Sequence, residues 1–107
     1  MTANELIHGR YLALNEAMAE LRVTVSVRDV HDMRPNVAAC VLIYEELLYL
    51  LSDDGTEISD YLDGLYHYQI QLLLDLLYDG EDEQIHTLSK VAIGLLQAWE
   101  DEIGIYT

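Results

Sequence analysis

The chain has 107 residues, half of them apolar, with 5 Lys+Arg against 20 Asp+Glu, one Cys and one Pro. A single domain of this length buries enough surface to hold together without disulfides, and one cysteine forms none internally. Residues 1–34 hold five acids and four arginines, whereas residues 35–107 hold fifteen acids and only Lys90. Nucleic acid and anionic lipid are bound through clustered Lys and Arg, so both are excluded as partners. A basic protein is not excluded.

Hydropathy carries the same message. The longest unbroken apolar run, Val37 to Tyr44, is far short of the ~20 residues that cross a bilayer, so no membrane insertion is expected. The opening residues Met1 to Leu6 contain no basic stretch leading to a small-residue cleavage site, and a cytoplasmic protein is expected.

Alternation at period two is confined to Val23-Thr24-Val25-Ser26-Val27, while spacings of three and four run elsewhere, which predicts an all-α chain. Four helices are expected in one domain spanning residues 1–107, near 3–26, 35–51, 56–78 and 83–103. Thr2-Ala3-Asn4-Glu5 fits a capping box at the first start, followed by a stripe of Ile7, Tyr11, Leu14, Met18, Leu21 and Val25. The β-branched stretch 23–27 predicts fraying at its end. Arg28 to Arg34 reads as the connection, with Asp29 or Asp32 as cap and Pro35 in the first turn of the second helix.

The second helix carries Val37, Cys40, Val41, Tyr44, Leu48 and Leu51 on one side and ends in the turn Asp53-Asp54-Gly55. Thr56 caps the third, whose expected core stripe is Ile58, Tyr61, Leu65, Tyr68, Leu72 and Leu76, and Asp79-Gly80 stops it. Asp82 caps the fourth, with Ile85, Leu88, Ala92, Leu95, Trp99 and Ile103 inward.

At 100° per residue the helices divide into two kinds. The first and fourth have one apolar face, backed by Gly9, Glu16 and Glu20 in the first and by His86, Lys90, Gln97 and Asp101 in the fourth. The second keeps Leu42, Tyr49 and Leu50 on its other side beside Glu45 and Glu46, and the third keeps Tyr66, Ile70, Leu73, Leu74 and Leu77. Two accounts follow. Either the second and third helices are central and the other two cover their second faces, or those faces form a groove for a partner.

The order of short motifs adds an independent signal. Ile43-Tyr44-Glu45-Glu46-Leu47, then Gly55-Thr56-Glu57-Ile58, Leu62, Leu65-Tyr66-His67-Tyr68 and finally Leu96-Gln97-Ala98-Trp99-Glu100-Asp101-Glu102-Ile103 follow one another over residues 37–103. In that order they resemble the bacterial flagellin export chaperone family, FliS. The family's wording there is a Gly-Gly-Glu-Ile helix start, a Leu-Tyr-Asp-Tyr motif and an Ala-Trp-Glu-Glu ending, so His67 stands in place of Asp. Leu6-Ile7 and Tyr11 fit its first helix, with Leu12 and Ala13 where Asp and Gly are usual.

The resemblance implies an antiparallel four-helix bundle that binds the disordered carboxy-terminal segment of flagellin in the cytosol, keeps it from polymerising and supports type III export. The client's apolar anchors are expected on Leu42, Tyr49, Leu50, Tyr66, Ile70, Leu73, Leu74 and Leu77. Two readings compete with it: a homodimeric helical adaptor joined through the spare faces, and an acidic inhibitor of a basic protein. The protein itself is expected as a monomer or homodimer.

Catalysis is not expected. Glu83-Gln84-Ile85-His86 has the spacing of one half of a bundle di-iron site, but such a site needs two motifs and two further inward glutamates. His86 instead points away from the apolar stripe. Asp63 and His67 read as a surface pair one turn apart, and Cys40 as a small core residue. Tyr11, Tyr44 and Tyr68 fall on core stripes, Tyr49 and Tyr66 on the second faces, and Trp99 reads as the large core residue of the last helix. No phosphate loop or zinc spacing is present, and no metal or cofactor is expected.

Overall fold

In the computed structural model the described residues are 2–27, 30–51, 55–79 and 82–104. They form α1 (Ala3–Val27), α2 (Val30–Leu50), α3 (Glu57–Asp79) and α4 (Asp82–Gly104), with no strand among them. The two threonine caps stand as read. Thr2 Oγ1 accepts the Glu5 N–H at 3.1 Å, and Thr56 Oγ1 accepts the Ser59 N–H at 3.2 Å. Each satisfies an amide that the helix itself cannot. Gly55, just before the second cap, has φ +73°, where a side chain would be strained. The expected caps Asp29 and Gly80, the turn residues Asp53 and Asp54, and the side chains of Asp32, Asp82 and Ile103 lie outside the described residues.

Two boundaries differ from the sequence expectation. α1 does not fray at residue 23 but runs to Val27. Val25 is buried there, and Thr24 and Ser26 donate back to the carbonyls of Leu21 and Val23. α2 starts at Val30, so Pro35 lies inside the helix and not in its first turn. Burial of Met33 in register with Val37 and Cys40 holds this upstream turn in the core, and Asn36 Nδ2 ties it to Thr24 Oγ1 at 3.2 Å.

Cross-helix pairs fix the direction of each neighbour. Arg10 meets Glu46 while Asn36 meets Thr24, so α1 and α2 are antiparallel. His8 faces Glu100 while Asn15 Nδ2 donates to the Ala92 carbonyl at 2.9 Å, which sets α4 antiparallel to α1. Tyr44 stacks on Tyr66, and Val37 and Val41 share a recess with Leu74 and Leu77, which does the same for α2 and α3. The helices therefore form a ring in chain order. α1 packs fully against both α2 and α4, α2 also against α3, and the α3–α4 edge is the least packed. The central pair is α1 and α2, not the second and third helices.

The core takes Tyr11, Leu14, Met18, Leu21 and Val25 from α1, and Met33, Val37, Cys40, Ile43, Tyr44 and Leu47 from α2. α4 gives Ile85, Leu88 and Ala92, with Leu95 and Trp99 half-buried behind them. In α3 the expected stripe holds at Leu76 and in part at Leu72 but not at Ile58, Tyr61 and Tyr68. Tyr66, Gln69, Leu73 and Leu76 point inward, whereas Ile58, Tyr61 and Tyr68 are exposed. Its apolar residues cover roughly 240° of the helix at 100° per position, so periodicity alone does not pick the inward side. The bundle chooses the side that faces α2.

Candidate partner-binding surface

Of the eight residues singled out for a partner, Leu42, Tyr49 and Leu74 are exposed, at 57%, 90% and 41%. Leu50, Ile70 and Leu77 are half-buried. Tyr66 and Leu73 are buried in the core and present no free surface, because the inward face of α3 is theirs.

The accessible ones are gathered by three adjoining recesses. The first, about 430 Å³, lies between α2 and α3 and is lined by Val37, Ala38, Val41, Leu42, Leu74 and Leu77, with Arg34 and Glu45 at its margins. The second, about 400 Å³, lies between α1 and α2 and is lined by Leu6, Tyr49 and Leu50, with Arg10, Glu45 and Glu46. The third, about 300 Å³, opens at the end of the bundle among Ile7, Leu47, Leu50, Leu51, Ile58, Leu62 and Trp99. Glu45 borders the first and second, and Leu50 the second and third.

Together they make one track that crosses α2 obliquely. It follows the row Ala38, Leu42, Glu46, Leu50, which are four apart and so drift steadily round the helix. From Arg34 to Leu50 it runs about 24 Å at 1.5 Å per residue.

A single acid sits in the middle of this row. Glu46 Oε2 is held by Arg10 Nη1 at 3.1 Å, which neutralises it locally and pins α1 to α2 beside the track. Glu45 has no ion pair among the described residues, which leaves its charge on the margin.

The floor of the end recess is aromatic and holds a buried hydroxyl pair. Tyr11 and Tyr66 join hydroxyls beneath it, Trp99 sets its ring edge-on to Tyr11 at 5.8 Å, and Tyr44 lies against Tyr66 at 5.7 Å. Burial raises all three phenols above the ordinary tyrosine value, and the shared hydrogen bond raises Tyr66 further. Trp99 lines the recess, and its indole N–H is buried with no hydrogen-bond partner among the described residues.

The remaining chemistry is structural. Cys40 is buried, and burial with the Glu20 charge pushes its thiol up to about 12. Asp63 and His67 form the surface pair expected of them, at 3.5 Å. Glu83 and His86 are exposed on α4. Among the described residues no three His, Cys, Asp or Glu side chains gather where they could hold a metal, and no helix is long and apolar enough to cross a membrane.

Sequence reasoning missed the contributions of Leu6, Arg10, Leu51 and Trp99, which come from other elements. It also missed the small residue Ala38, although the four-residue row through Leu42 and Leu50 marks it.

An all-α bundle with an oblique apolar track between margins of mixed charge has the architecture of a protein-binding module. The family model for the flagellar protein FliS matches residues 1–104. The flagellar secretion chaperone FliS of Campylobacter jejuni subsp. jejuni serotype O:6 (strain 81116 / NCTC 11828) is 30% identical over 98 residues, which are 91% of this chain and 77% of that protein. The chain belongs to the FliS family.

Proposed function

We propose that this protein is a cytoplasmic flagellar secretion chaperone that binds the disordered carboxy-terminal segment of flagellin, prevents its premature polymerisation and supports type III export. The observation that carries the reading is the continuous track across α2. It is mainly apolar, as long as a helix of about sixteen residues, and the strongly acidic chain that carries it limits self-association. Family membership and the relative's name support a flagellar client, and the track supports a segment that docks by apolar anchors.

In this reading Leu42, Leu74 and Leu77 receive one anchor of the client, Tyr49 and Leu50 a second, and the end recess a third above Tyr66. Ile70 and Leu73 act from below by holding α3 in place. Apolar burial drives the association, and ordering the client offsets roughly 2–5 kcal/mol of it, which keeps release feasible.

Calorimetric titration with the flagellin carboxy-terminal segment of the same organism tests this, at low and high salt, with light scattering for stoichiometry. A one-to-one complex that survives salt and shows a negative heat-capacity change is expected. No heat, with the protein alone forming a stable dimer, would overturn the proposal in favour of a self-associating adaptor. Binding abolished by salt would make it an acidic ligand of basic proteins.

A further inference from the structure

The outer flank of α3 carries a second apolar feature that shares only Ile58 with the track. Ile58, Tyr61, Leu65, Tyr68 and Leu72 recur at alternating intervals of three and four, the two-position repeat of a coiled-coil seam. Tyr61 and Tyr68 are 68% and 60% exposed, Ile58 is exposed too, and Leu65 and Leu72 are half-buried beneath them. The next position of the repeat is Asp75, which ends the stripe. A seam two heptads long on the outside of a bundle has the geometry to receive one further helix.

Charge decides the occupant. At 100° per residue Glu57, Asp60 and Asp75 lie along one margin of the stripe, α3 contains no Lys or Arg, and Lys90 is the one Lys or Arg from 35 to 107. A second copy would bring these acids against themselves, and like charges across an interface oppose association. A helix with Lys or Arg beside its apolar seam would instead meet opposite charge along that margin.

Gly64 points the same way. It lies between the two tyrosines, and a Cβ added there meets nothing within 4 Å. The fold has no packing reason for a mid-helix glycine, which costs about 1 kcal/mol relative to alanine. It leaves a bare notch where another backbone can approach closely.

We propose that the Ile58–Leu72 face of α3 is a second docking surface, for a cationic amphipathic helix of a partner protein, which meets the track on α2 only at Ile58. The test uses the full chain and two designed 21-residue helices with leucine at the seam positions, one flanked by lysine and one by glutamate, measured by fluorescence anisotropy. The lysine helix is expected to bind one-to-one at least tenfold more tightly than the glutamate helix. Tyr61→Ser with Tyr68→Ser is expected to weaken it at least tenfold, and Leu42→Ala with Leu74→Ala to leave it unchanged. Circular dichroism checks that both variants fold.

Unchanged affinity in the Tyr61/Tyr68 variant would mean that acidity alone holds the peptide, and overturns the proposal. So would a native dimer that this variant converts to monomer, because a second copy would then be the occupant.

Discussion

Replacing Leu42 and Leu74 together by alanine separates recognition from folding. Both line the α2–α3 recess, one from each wall, and they are 57% and 41% exposed, so between them they offer a partner about one leucine side chain of free apolar surface. Covering that much is worth ~1.5–3 kcal/mol, or roughly 10- to 150-fold in Kd. Neither belongs to the buried cluster, and alanine favours a helix slightly over leucine, so the melting temperature is expected to stay close to the parent's. The assay is calorimetric titration of flagellin's carboxy-terminal segment into parent and variant, beside thermal melts of each. An unchanged Kd in a variant that melts normally would refute the placement of the client on this track.

Further outcomes follow from the interior and from α3. Tyr11→Phe or Tyr66→Phe strands a buried hydroxyl and is expected to cost about 1–3 kcal/mol in urea unfolding. The double variant should regain most of that loss, and simple additivity would mean that the hydroxyls do not act as a pair. Gly64→Ala is expected to stabilise the fold by about 1 kcal/mol, read as a rise of roughly 4–8 °C in Tm; a fall would reveal a contact above that residue.

The raised values of Cys40, Tyr11, Tyr44 and Tyr66 mean that the folded chain holds these protons more tightly than the unfolded one. Their stabilising contribution is therefore complete below about pH 9 and is lost as pH climbs through about 9–10 and above. Alkaline titration followed at the phenolate absorbance is expected to show these three tyrosines ionising with unfolding, and early ionisation in a folded chain would contradict their burial. Cys40 is expected to resist thiol reagents at pH 8 until denaturant is added, and rapid native labelling would contradict its surroundings.

The parts of this fold legible in the sequence are those fixed by local chemistry. Thr2 and Thr56 cap helices because a hydroxyl there reaches an amide three residues on, and α1 has a single apolar stripe that admits one orientation. α3 was misread for the opposite reason. With leucine, isoleucine or tyrosine at most positions, its two possible inward faces differ by little in hydropathy, and Gln69 at the centre of the true one argues against it. Only the position of α2 separates Tyr66 and Leu73 from Tyr61 and Tyr68.

The candidate track was half visible. Leu42, Tyr49 and Leu50 stand out as a second face of α2, and Leu74 and Leu77 of α3, but the far wall of Leu6 and Arg10 comes from α1. No spacing along one helix announces neighbours drawn from others. Pro35 shows a similar override, since burial of Met33 extends α2 across a residue that usually sits at a helix start.

The uneven ring of contacts gives the molecule two mechanical characters. α1 and α2 are clamped along their length by the core and by the Arg10–Glu46 and Asn36–Thr24 ties. α3 and α4 share the thinnest edge, so the bundle's softest breathing motion widens there first. The track's walls from α1 and α2 belong to the well-packed pair, whereas Leu74 and Leu77 stand on α3, whose opposite edge is thinly packed.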